Sequence, residues 1–152
     1  MLWQSPQRPD VHRVLVADDD HDVLQLISAT LEHSGYEVRT VASGSELQDV
    51  LVKHAIYGEV GDRPADVLIS DIRMPGCSGL EVLADLQGRS WAPPVIVISG
   101  AMDDALRGQA QRLGASAVLS KPLDLDTLRS EVEAALGTRR GGGPVRAQQP
   151  VG

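Results

Sequence analysis

The chain predicts an open α/β fold built on a parallel sheet. Two observations carry this. Short, mostly apolar runs alternate with segments whose apolar residues recur at helical spacing, the pattern of repeated strand-then-helix units. Most of these runs are apolar throughout, as strands covered on both faces should be. A third observation points to the working edge. Asp18-Asp19, Asp71, Ser99 and Lys121 each follow or close one of these runs, at matching carboxyl ends. In open parallel sheets that edge is where ligands sit.

Taken in order, residues 12–17 form the first strand, and Asp20 caps the helix that follows. Val23, Leu24, Ile27 and Leu31 are its apolar stripe, ending near Gly35. Residues 37–41 alternate more weakly and read as an edge strand. Ser43 and Glu46 have capping-box spacing ahead of Leu47, Val50 and Leu51. Residues 55–65 are a longer surface connection. The run 67–70 ends at Asp71 and leads into the turn Met74-Pro75-Gly76-Cys77. Ser78 and Glu81 repeat the capping-box spacing, with Leu80, Leu83 and Ala84 expected to face inward. Residues 94–99 are the next strand. Residues 103–113 follow as a helix, weakened by about 1 kcal/mol at Gly108 relative to Ala. Residues 117–120 are the last strand, and Leu125, Leu128, Val132 and Leu136 line the last helix. Residues 1–10 are expected to be an N-terminal tail, 11–136 the domain, and 137–152 a flexible C-terminal tail containing Gly141-Gly142-Gly143-Pro144.

Composition narrows the function. At 152 residues, 42% hydrophobic and 23% charged, the chain is one globular domain's worth. A net charge of -7 provides no basic footprint, which argues against direct nucleic-acid binding by this segment. Without Phe, and with two Trp and two Tyr, stacking platforms for bases are few. No apolar run is long enough to span a membrane, so no membrane insertion is expected. The first ten residues lack an apolar stretch suited to a secretory signal. Cys77 is the single cysteine and reads as a tolerated small loop residue. A cytoplasmic, reducing setting is the expectation.

One Asp after a strand is ordinarily a turn residue or a cap, and one Lys a surface group. Convergence changes that reading. Two carboxylates about 4 Å apart repel by roughly 4 kcal/mol at an effective dielectric near 20. Such a cluster stays ionised only if a cation compensates it. All-oxygen ligands suit Mg²⁺, with Mn²⁺ or Ca²⁺ as substitutes, and no His or Cys has zinc-site spacing. With a metal present a carboxylate can attack phosphorus and become an aspartyl phosphate. Asp71 is the natural nucleophile, Asp18 and Asp19 the cation clamp, Lys121 the partner of one phosphoryl oxygen and Ser99 the hydroxyl that meets another.

These residues resemble the receiver domain of bacterial response regulators in two-component signalling. The resemblance rests on four segments in order: Arg13-Val14-Leu15-Val16-Ala17-Asp18-Asp19-Asp20, Leu68-Ile69-Ser70-Asp71-Ile72-Arg73-Met74-Pro75-Gly76-Cys77-Ser78-Gly79-Leu80, Val97-Ile98-Ser99-Gly100, and Gly114-Ala115-Ser116-Ala117-Val118-Leu119-Ser120-Lys121-Pro122. It covers roughly residues 11–136. It implies a doubly wound (βα)5 flavodoxin-like fold, strand order 2-1-3-4-5, with Asp71 as phosphoacceptor. It further implies that Asp19, Asp71 and the Arg73 carbonyl bind Mg²⁺ directly, with Mn²⁺ as a substitute, and that Asp18 acts mostly through water. Ser99 with Gly100 and Lys121 would contact the phosphoryl group, and the Lys121-Pro122 bond would be cis. Where many members carry Tyr or Phe, this chain has Val118, so an aromatic rotamer switch there is excluded.

The implied partners are a histidine kinase or phosphotransfer protein upstream and a downstream protein target; a homodimer is left open. On this reading the protein is a signalling phosphoacceptor that catalyses only its own phosphorylation and dephosphorylation. One alternative is a receiver fragment of a larger DNA-binding or enzymatic regulator. Another is a haloacid-dehalogenase-type phosphatase, which would carry a second Asp where this chain has Arg73.

Overall fold

The computed structural model describes residues 11–141. Five strands alternate with five helices: β1 (Arg13–Ala17), α1 (His21–His33), β2 (Glu37–Val41), α2 (Gly44–Tyr57), β3 (Val67–Asp71), α3 (Gly79–Leu86), β4 (Val95–Ser99), α4 (Asp104–Arg112), β5 (Ala117–Ser120) and α5 (Leu125–Gly141). All four strand pairings are parallel and the order is β2-β1-β3-β4-β5, the order the resemblance implies.

The period-2 alternation of strands divides the core in two. Leu15, Ala17, Leu68, Val95 and Val97 face one side, where they meet Leu47 and Leu51 of α2 and Val82, Leu83 and Leu86 of α3. Val14, Val16, Val67, Ile69, Ile96 and Ile98 face the other, against Ile27 and Leu31 of α1 and Leu128 and Val132 of α5. β3 and β4 are buried along their whole length, whereas β2, at the edge, buries Val41 alone.

Local chemistry starts the helices where the sequence reading expects. Asp20 accepts from the Asp22 and Val23 N–H groups, Ser43 from Glu46, and Asp103 from Leu106. Ser78 and Glu81 form a complete capping box. Ser43 and Glu46 form half of one, because the Glu46 carboxylate accepts from the Ala42 N–H at 2.7 Å and so reaches one residue further back.

Several expectations need correction. Ala84 is exposed, and the inward face of α3 is Val82, Leu83 and Leu86 with Leu80 half-buried. At about 3.6 residues per turn Val82, Leu83 and Leu86 fall in one arc, with Leu80 at its margin and Ala84 further round, beyond Leu80. Cys77 is buried among core residues and is no mere tolerated loop position. Its thiol pKa is pushed up by burial first, then by the charges of Glu81 and Asp85. α2 runs on to Tyr57, shortening the connection that follows. α5 continues past Leu136 to Gly141, where a tail was expected. Arginines propagate a helix well and suit its carboxyl end. The expected tails over residues 1–10 and 142–152 lie outside the described residues.

Candidate functional site

Register assembles the site. Ala17 pairs with Ser70, Asp71 with Ile98, and Ser99 with Ser120. Asp18 and Asp71 therefore stand at one level, Ser99 one residue and Lys121 two residues beyond it, all at the carboxyl edge of the sheet although about a hundred residues separate the first from the last. Asp18, Asp71 and Ser99 are buried, Lys121 is half-buried, and Asp19 is exposed.

Lys121 Nζ lies 2.8 Å from Asp18 Oδ2 and 3.2 Å from Asp71 Oδ2, and donates a hydrogen bond to the latter. Asp18 Oδ1 accepts from the Asp20 N–H at 2.9 Å. Asp18 Oδ2 is buried and ion-paired, yet no donor meets it in hydrogen-bond geometry. Oxygens of Asp18, Asp19 and Asp71 lie within 4.8 Å of one another. One ammonium stands against three acids. An all-oxygen donor set with an incompletely satisfied buried oxygen fits a divalent cation of the Mg²⁺ or Mn²⁺ kind and its waters.

The electrostatics agree. Burial raises the Asp71 carboxyl above its ordinary value, and the Asp18 charge raises it further; Lys121 pulls the other way and loses. Burial alone would lower the Lys121 ammonium, but its contact with Asp18 and the charges of both acids outweigh that and leave it raised. Lys121 thus stays protonated, and ionising Asp71 costs more in the folded protein than in free solution.

Ser99 Oγ accepts from the Ala101 N–H at 3.1 Å, and the Ser99 carbonyl accepts from the Lys121 N–H at 2.9 Å. Gly100 follows on the surface; a Cβ there would sit 3.9 Å from the Lys121 Cδ. The Lys121-Pro122 peptide is cis. Arg73 is exposed in the loop after β3, and Val118 is buried in β5. A separate cleft of about 400 Å³, bounded by His54, Glu59, Arg63 and Trp91, shares no residue with the acidic edge.

Sequence reasoning missed two contacts around this edge. The Arg107 guanidinium on α4 donates from Nη1 to the Val118 carbonyl at 2.9 Å. The loop after Asp71 is clasped to the start of α2, where the Gly44 N–H donates to the Pro75 carbonyl at 2.9 Å. The first leaves no mark in the sequence. The second has a faint one, in the glycines at 44 and 76.

Sheet order and acidic edge together define the class: a doubly wound receiver-type fold. A response regulator receiver domain protein from Clostridium thermocellum has the same architecture, with a TM-score of 0.75 and 27% identity over 88% of this chain and all of that one. The chemotaxis response regulator CheY4 of Vibrio cholerae superposes with a TM-score of 0.69 at 28% identity, covering 83% of this chain and 99% of that one. Residues 14–133 match the family described as response regulator receiver domain, and the chain belongs to that family. It is 38% identical over 128 residues to the C4-dicarboxylate transport transcriptional regulatory protein DctD of Pseudomonas aeruginosa, covering 84% of this chain and 26% of DctD. It is 33% identical over 138 residues to the transcriptional regulatory protein KdpE of Mycobacterium tuberculosis, covering 91% of this chain and 56% of KdpE. The chain therefore spans well under two thirds of these relatives. Among the described residues no helix is long and apolar enough to cross a membrane.

Proposed function

We propose that the chain is a phosphorylation-dependent switch that accepts a phosphoryl group on Asp71 from a histidine kinase or phosphotransfer protein. The observation that carries this reading is the meeting of three carboxylates and the Lys121 ammonium at the carboxyl edge of β1, β3 and β5. Asp19, Asp71 and the Arg73 carbonyl would hold Mg²⁺, or Mn²⁺ in its place. Asp18, with one oxygen taken by the Asp20 N–H and the other facing Lys121, would act through water. The bound ion would supply charge neutralisation at the phosphoryl oxygens.

The residues then divide the work. An Asp71 carboxylate oxygen attacks phosphorus in line as the P–N bond of a phosphohistidine breaks, and the imidazole leaves. Lys121 pairs with one phosphoryl oxygen, and the Ser99 hydroxyl donates to another beside the Gly100 backbone. Water later ends the signal by attacking phosphorus, breaking the bond to the Asp71 oxygen and releasing inorganic phosphate and the free carboxylate. Phosphorylation shifts the face formed by α4, β5 and α5, through differential contacts in two states. Val118 rules out a ring rotation at its position, so the shift runs through backbone and aliphatic repacking. The net charge of -7 favours a protein as the downstream target.

Labelling by acetyl phosphate tests this directly. The unaltered chain should gain one phosphoryl group in Mg²⁺ and none in excess chelator, and Asp71→Asn should remove labelling altogether. Label that survives this substitution would end the assignment.

A further inference from the structure

Residues 100–103 join Ser99 to α4. At one end Ser99 Oγ accepts the Ala101 N–H; at the other Asp103 caps the helix by accepting the Leu106 N–H at 2.8 Å. A movement of the Ser99 hydroxyl is thus handed to α4 through a short segment hydrogen-bonded at both ends. α4 is lightly seated. It buries one side chain, Ala110, while Leu106 and Leu113 are only partly covered. Its further hold on the sheet is polar: Arg107 Nη1 donates to the Val118 carbonyl at 2.9 Å. Val118 pairs in register with Val97, close to Ser99 along β4.

We propose that Arg107 is a positioning residue whose bond to the Val118 carbonyl holds α4, and through it the Ser99 hydroxyl, in the arrangement that lacks a phosphoryl group. The inference rests on Asp71 being the phosphoacceptor. When Ser99 turns to donate to a phosphoryl oxygen, the Ala101 N–H loses its acceptor and the segment to Asp103 follows. α4 then moves as a unit, and a hydrogen bond that needs alignment does not survive such a displacement intact. The Val118 side chain has no polar atom that could make the link instead, so the guanidinium bears it. A contact made in one state and not the other biases the equilibrium by its own differential worth. For an ordinary hydrogen bond that amounts to about a 2- to 10-fold shift in population.

Removing the guanidinium should therefore favour the phosphoryl-bound arrangement. Beryllofluoride with Mg²⁺, titrated into the full chain, is the probe, because it occupies an aspartate as a phosphoryl mimic without turnover. Arg107→Ala and Arg107→Gln should bind it roughly 5-fold more tightly than the unaltered chain. Deleting a positive charge would by itself weaken binding of an anion, so tighter binding is diagnostic. Without the mimic, amide exchange over residues 104–112 should be about 5-fold faster in both variants. Unchanged or weaker affinity overturns the proposal, and so does unchanged exchange. If Asp71→Asn binds the mimic as well as the unaltered chain does, the phosphoacceptor reading fails instead. The exchange rates would then still decide whether Arg107 holds α4.

Discussion

α3 and α4 occupy equivalent places, each following a strand that delivers a site residue, yet they are held very differently. α3 is eight residues long, buries Gly79, Val82, Leu83 and Leu86, and starts with a complete capping box. The loop leading to it is locked as well. A Cβ on Gly44 would collide with the Cys77 carbonyl oxygen, one on Gly76 with Ser45 Oγ, and one on Gly79 with the Asp71 carbonyl oxygen. α4, at nine residues, buries Ala110 and hangs partly on Arg107. The nucleophile is thus carried by a rigid mount, and the hydroxyl that would sense its charge state leads to a loose one. In-line transfer needs the acceptor held in place, whereas a population shift needs an element with two arrangements of similar energy.

The largest test of this contrast is Gly44→Ala. Its methyl meets backbone rather than a flexible side chain, so the loop must move. The expected loss is about 3 kcal/mol of stability by denaturant unfolding, at the upper end of ordinary overpacking. A loss under about 0.5 kcal/mol would show that the clasp yields and that the acceptor side is as soft as α4.

Asp71→Asn asks whether the rigid side stores electrostatic cost. The folded protein keeps the Asp71 proton to higher pH than the unfolded chain does, so folding stability falls as pH rises from about 3.8 through the raised value. Asparagine cannot ionise. In metal-free buffer the substitution should therefore stabilise the fold at neutral pH, on the order of 1 kcal/mol. The gain should shrink towards zero as pH falls to 3.8 and below. Mg²⁺ added to the unaltered chain should close most of the gap. A gain that does not vary with pH would point to packing instead.

Gly108→Ala should have the smallest effect and the opposite sign to Gly44→Ala. Its Cβ meets nothing closer than the flexible tip of Arg112, at 3.4 Å, and helix propensity favours Ala by roughly 0.5–1 kcal/mol. Thermal unfolding should move up slightly, and amide exchange in α4 should slow. A destabilised variant would mean that α4 is more tightly packed than its single buried residue indicates.

Much of the fold was legible in the sequence because the signals were local. Continuous apolar runs marked β3 and β4; Asp20, Ser78 and Asp103 marked helix starts; the acids and the lysine sat at recognisable strand ends. Reading failed where a side chain's environment depended on a distant segment. Ala84 looks like part of an apolar stripe until α3 is seated on the sheet. Cys77 looks like a surface turn until α2 closes over it. Thr30 is polar, yet it is buried in α1 with its hydroxyl donated to the Leu26 carbonyl at 2.7 Å.

The succession of apolar runs and helical stripes, the caps, and the chemical character of residues 18, 19, 71, 99 and 121 were written in the chain itself, because each depends on neighbours a few positions away. Tertiary structure alone decided that Asp18 Oδ2 lacks a hydrogen bond, that Lys121 sits between two acids, and that Arg107 reaches the Val118 carbonyl. Each of these is a distance of a few ångströms between segments joined by long stretches of chain. Local propensity does not encode such distances; packing of the two core faces against the sheet creates them.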